Sequence, residues 1–366
     1  MKKTLLKLLP LCAFALFLII IPKDASAGTV HSASYYEKND DDEHSTESDS
    51  DNINDELEQC GSVTLVSGEK YYLDSTLYLE KGWKINAKKA KIYTTGRIME
   101  CNYSIKGYKK LNATVTGGIW RYDGKSGHSL TAIQLSHVNG VTFKNMNIKY
   151  CTYQGHTFEL IACKNVSIKN CKIRCYGKVK STSNEEQIQI DIDAPATAPT
   201  TGVHNGKCCA NITISKCDVV GSRAVCANYT AANGGKYKNH FHKNIKVKNC
   251  KLRGKSAEAL ALFNTTGATV TGNTIINTTP TSRDSYSDGM AITYFGSGAS
   301  GGKYTIKNNT IKGGRHALLM YSHSSSRFGK TTIRSNKLYC KAGASNALKT
   351  ASVSKLSASK NKKYKW

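Results

Sequence analysis

Eight segments of this 366-residue chain can be laid over one another. They are ATVTGGIW (113–120), VTFKNMNI (141–148), VSIKNCKI (166–173), ITISKCDV (212–219), IKVKNCKL (245–252), ATVTGNTI (268–275), YTIKNNTI (304–311) and TTIRSNKL (331–338). Anchored on Val115, Phe143, Ile168, Ile214, Val247, Val270, Ile306 and Ile333, the steps are 28, 25, 46, 33, 23, 36 and 27 residues. The base period is near 25, and the longer steps hold insertions. Most units carry a further strand, from TAIQLSH (131–137) to HALLMYS (316–322). Two or three short strands cannot bury a face alone, but stacked as coils they bury a continuous core. The chain is therefore predicted to be all-β, a single-stranded right-handed parallel β-helix of about 8–10 coils, with coils about 4.8 Å apart. Cys171, Cys217 and Cys250 share one column with Met146, Asn273, Asn309 and Asn336. That column reads as a buried thiol stack continuing as an asparagine ladder, because one straight column lacks the tetrahedral convergence of a metal site.

The ends differ from the body. Residues 1–27 have a Lys2-Lys3 n-region, an apolar run and an Ala25-Ser26-Ala27 cleavage pattern, as a secretory signal peptide does. The apolar run is short for a membrane anchor, and no later segment reads as a span. Residues 28–58 are acidic and Ser-rich, which predicts a disordered spacer. The β-helix is expected over 59–345, with 346–366 a last coil or a basic tail. The chain carries +26 overall; the signal segment accounts for +3 and the spacer for −10, leaving +33 on residues 59–366. A secreted or cell-surface body that basic should seek an acidic polysaccharide or an anionic cell-wall polymer. Nucleic acid fits the charge, but no stacked-aromatic platform or recognised motif supports it. A monomer is expected.

In the further-strand stack, the residues just before each strand are Thr131, His156, Glu186, Arg223, Glu258, Asp288 and His316. Positions two and four residues on are apolar and should point inward. Positions three and five residues on should point outward, and they cluster Gln134, Glu159, Gln189, Asp191 and Asn228 on neighbouring coils. Phe263, Tyr294 and Tyr321 on later coils offer rings on which a sugar could stack. Glu159 and Asp191 lie one coil and two residues apart, which puts their stems about 8 Å from each other. That spacing suits an inverting glycosidase, whose acid and base leave room for a water. Gln134, Gln189, Asn228, Glu186, Tyr294 and Tyr321 are the expected substrate-binding residues. Glu186 beside Arg223 and His156 also reads as structural pairing. Glu258 next to Asp288 puts two acids about one coil apart, a candidate Ca²⁺ site unless a cation already neutralises the pair. A lyase would instead use His156, Arg223 or a loop lysine.

The N-x-x-I/V ladder strands and the GGIW entry resemble the pectate-lyase-like superfamily over roughly residues 60–345. That resemblance implies polygalacturonase-type hydrolysis, β-elimination or uronan epimerisation, often with Ca²⁺. SDGMAI (287–292) is similar to the D-G strand entry of the polygalacturonase type. The paired-Asp strand, G-H-G turn and R-I-K strand of those hydrolases have no counterpart, nor has the Asp-Pro-His-Glu motif of alginate-type epimerases. SNEEQIQIDI (183–192) resembles an E-x-I-Q-I-D strand that recurs in bacterial members of the superfamily. Fold does not decide function. Two classes stand: cleavage of an acidic, uronate-containing polysaccharide by hydrolysis or β-elimination, and non-catalytic retention of anionic polymers on a surface.

Overall fold

The computed structural model describes residues 27–39, 47–102, 108–124, 130–150, 155–175, 186–197, 203–227, 235–278 and 286–366. The chain winds as a right-handed parallel β-helix, and each full coil lays one strand on each of three faces. One coil runs through Lys164–Lys169 on the first face, Lys172–Arg174 on the second and Glu186–Asp191 on the third. The next repeats the path through Thr213–Ser215, Asp218–Gly221 and Arg223–Ala227. The first and second faces form a 22-stranded sheet, and the third forms a 10-stranded sheet running from Leu77–Tyr78 to Leu348–Thr350. All named pairings are parallel, as stacked coils require.

The register follows the apolar positions. On the third face Ile188 pairs with Phe158 and Val225, and Ile190 with Leu160 and Ala227, and all six are buried in one core. On the first face Ile168 lies between Phe143 and Ile214. A slip of one residue would turn each of these side chains to the outside, so the period-two pattern pins every coil to its neighbours.

The corner between the first and second faces needs a left-handed residue. Asn145, Asn170, Asn249 and Asn308 supply it at φ between 51° and 60°, a conformation Asn tolerates better than most residues. The following residue turns into the core and forms the expected column. The Cys171 amide donates to Cys217 Sγ at 3.5 Å, and the Cys217 amide to Cys250 Sγ at 3.4 Å. The Cys250 amide reaches Asn273 Oδ1 at 2.8 Å. From there side-chain amides run Asn273 to Asn309 to Asn336 to Asn361, at 2.9, 2.9 and 2.8 Å.

The two ends revise the domain reading. Residues 28–58, expected to be disordered, carry the strand Gly28–Val30 and the helices Ala33–Lys38 and Asp49–Cys60. Gly28–Val30 pairs with Ser62–Leu65 as an extra first-face strand. The longer helix buries Ile53 and Leu57, four residues apart on one side, in the core at the open end of the first coil. Ser48 caps its start by accepting from the Asp51 amide, and Gly61 ends it at φ 64°. The acids serve as anchors: Asp49 accepts from the amides of Ala33 and Tyr72, and Glu56 from that of Gly28. At the other end, Val353–Ser359 pairs with Arg327–Arg334, and Lys362–Lys365 with Lys337–Cys340, so residues 346–366 complete the last coil. The expected signal segment, apart from Ala27, lies outside the described residues. No helix among the described residues is long and apolar enough to cross a membrane.

Candidate active site

The third face holds the expected columns in the expected register. Glu159 pairs with Gln134 on one side and Gln189 on the other, and the same column continues through Cys226 and Ala261. Asp191 stands opposite Ile161, two residues along from Gln189. Glu159 and Asp191 are thus on adjacent coils, as the sequence spacing requires. Asn228 lies outside the described residues.

This face is not a solvated edge. Gln134, Glu159, Gln189 and Asp191 are all buried, with Glu159 the most open at 9 %. They bond in two sets. Glu159 Oε2 accepts from Gln134 Nε2 at 2.8 Å and from Thr131 Oγ1 at 3.3 Å. Asp191 Oδ2 accepts from Gln189 Nε2 at 2.9 Å. Gln134 Oε1 and Gln189 Oε1 are buried acceptors with no hydrogen-bond partner. Burial pushes the Asp191 carboxyl up to about 7; the Gln189 hydrogen bond opposes this, and the charges of Glu159 and Glu186 reinforce it. Glu159 and Asp191 are therefore adjacent carboxyls of which one stays protonated into the neutral range.

The entry column is a chain of ion pairs. Arg223, fully buried, donates to Glu186 on the preceding coil and to Glu258 on the following one, at 2.5 and 2.8 Å. Burial alone would lower the guanidinium, but Glu258 and Glu186 hold it charged, well above its ordinary value. His156 Nδ1 lies 2.8 Å from the Glu186 carbonyl and 3.9 Å from its carboxylate. Glu186 thus belongs to the pairing network and does not present its carboxylate outward.

The acid pair expected to attract Ca²⁺ has protein partners instead. Glu258 is bound by Arg223, and Asp288 by Arg315 at 2.5 Å and His316 at 2.8 Å. Among the described residues no group of three or more His, Cys, Asp or Glu side chains converges on a point where a metal could sit. Arg315 precedes the His316 entry position, and its side chain reaches back one coil; a column-by-column reading misses such a partner.

The aromatic expectations divide. Tyr294 is buried in the core, stacked on Phe328 at 4.2 Å and hydrogen-bonded to Tyr304, so it offers no face to a sugar. It sits one residue beyond Thr293, which alternation turns to the inner side. Tyr321 is on the outer side, edge-on to His323 at 4.8 Å, and His323 stacks on Phe295 at 4.9 Å. These three rings form a surface group on the later coils of the same face.

No family model matches this chain, and no curated protein matches it. Solved structures do. It is similar to PfbA, a surface adhesin of Streptococcus pneumoniae, at 14 % identity and a TM-score of 0.55, covering 87 % of this chain and 90 % of that one. A second PfbA structure gives 14 % identity and a TM-score of 0.53, over 87 % of this chain and 96 % of that one. The A-module of the Azotobacter vinelandii mannuronan C-5 epimerase AlgE6 follows at 12 % identity and 0.46, over 86 % and 95 %. The likeness to PfbA is one of fold: both chains wind as parallel β-helices.

Proposed function

We propose that this chain is a secreted or surface-held protein that cleaves a uronate-containing polysaccharide by hydrolysis on its third face. The observation that carries the reading is the carboxyl pair. Asp191 keeps its proton toward neutral pH, while Glu159 on the neighbouring coil accepts hydrogen bonds from Gln134 and Thr131. In this reading Asp191 donates its proton to the glycosidic oxygen as the C–O bond breaks. Glu159 takes a proton from the water that attacks the anomeric carbon. Gln134 and Gln189 hold the two carboxyls in place, and Tyr321 with His323 and Phe295 offers a sugar platform further along the face.

Hydrolysis is preferred to β-elimination because Arg223 is engaged by two carboxylates and is buried. It is not available to neutralise a substrate carboxylate. The non-catalytic binder remains the second reading, favoured by the concentration of cations on the other two faces.

The test is a panel of acidic polysaccharides offered to the wild type and to Glu159→Gln with Asp191→Asn. The expected result is product from the wild type, none from the double variant, and retained polymer binding in both. No product from either across the panel would favour the binder.

A further inference from the structure

The second face presents two outward columns that run the length of the solenoid. One begins Tyr72–Tyr93–Arg121–Lys149–Arg174 and ends Lys312–Tyr339–Tyr364. Beside it, Lys70 pairs with Lys91 at one end and Lys337 with Lys362 at the other, with Lys172 and Lys251 between. Together the two columns hold eleven Lys or Arg and one acid, Asp218, which is engaged by Arg174 at 2.6 Å. Parallel coils hold the two columns in register, with about 4.8 Å between coils, over roughly 48 Å. Like charges directly opposite one another on a sheet destabilise it. A surface this ordered keeps that cost in the free protein and loses it when anions bind along it.

We propose that the second face is a binding track for a linear, carboxylate-bearing polysaccharide lying along the solenoid axis. This goes beyond the cleavage reading, because the track and the Glu159–Asp191 pair are on different faces. Nine of the eleven coils carry a cation in at least one of the two columns, a spacing that suits a polymer with one charge per monomer. Val220 and Ile276 interrupt the cationic column and are only partly buried, which gives apolar footing for the C–H faces of sugar rings. Nucleic acid fits less well. Tyr72 stacks on Tyr93 at 5.3 Å, and Tyr339 on Tyr364 at 4.7 Å. Each of these rings turns one face to its neighbour, which leaves fewer faces for bases to stack on.

The first face supplies the control, since it too is basic but mixes its cations with Ser and Thr. In the experiment, polygalacturonate of defined length is titrated onto the full chain, the second-face triple Arg121→Glu/Lys149→Glu/Arg253→Glu, and the first-face triple Lys144→Glu/Lys169→Glu/Lys248→Glu. Both triples change net charge equally. The second-face triple should lose about tenfold or more in affinity, and the first-face triple less than about threefold. Circular dichroism and melting temperature check folding; if either triple fails, both are replaced by their milder Gln counterparts, Arg121→Gln/Lys149→Gln/Arg253→Gln and Lys144→Gln/Lys169→Gln/Lys248→Gln, which again change net charge equally. The Glu159→Gln/Asp191→Asn variant should bind as the wild type does, which separates the track from cleavage. Equal losses in the two triples would overturn the proposal, leaving net charge alone. Tighter binding of a DNA strand of matched length would also overturn it.

Discussion

At the scale of single residues, Asp191 makes the sharpest statement. Its carboxyl is raised from 3.8 to about 7 by burial. Between those values the folded protein holds a proton that the unfolded chain has released. Stability from this group is therefore complete below about pH 4 and falls as pH rises through about 7. Asp191→Asn has no charge to bury, so its stability relative to wild type should grow by up to about 4 kcal/mol between pH 4 and pH 8. Denaturant melts of both proteins across that range check this; parallel curves would contradict it. Arg223 gives the opposite case. Arg223→Met leaves Glu186 and Glu258 buried without their cation and should cost about 3–5 kcal/mol. The columns containing Glu159 and Asp191 were legible because alternation fixes which side chains leave the core. Their burial was not legible, since a pattern shows the side a residue faces and not what lies over it. The same alternation, applied one residue further, would have placed Tyr294 inside with Phe328.

At the scale of elements, the asparagine ladder and the terminal helix mark two limits of pattern reading. Asn309 donates to Val270 O and to Asn336 Oδ1, and its own Oδ1 accepts the amide and side chain of Asn273. Asn309→Ala should strand several of these buried groups and lower stability by roughly 3 kcal/mol in equilibrium denaturation. A ladder is readable because its members recur at one place in every repeat. The helix Asp49–Cys60 occurs once, inside a composition that argues for disorder. Its signals were local: a Ser48 cap, Ile53 and Leu57 four residues apart, and Gly61 at its end. Deleting residues 28–60 should expose the core edge of the first coil and shift the protein from a single species toward aggregates. Light scattering reads that change.

At the scale of the whole molecule, charge is sorted by face. The second face carries columns rich in Lys and Arg, whereas the third buries Glu159, Glu186, Asp191, Glu258 and Asp288, with Arg223 binding Glu186 and Glu258, and Arg315 and His316 binding Asp288. The net charge of the chain pointed to an anionic partner, but a sum over residues does not say which face carries it. The solenoid converts a 25-residue period into columns, and only the columns separate a polymer track from an acid pair. The proposed hydrolysis of a uronan by the acid pair leaves its signature in the products. The most direct measurement follows the products of wild-type digestion by time-resolved NMR, with ultraviolet absorbance for unsaturated ends. Hydrolysis by this pair gives new reducing ends of inverted anomeric configuration, lost in Asp191→Asn, and no unsaturated ends. Unsaturated uronate ends, or products that persist in Asp191→Asn, would contradict it.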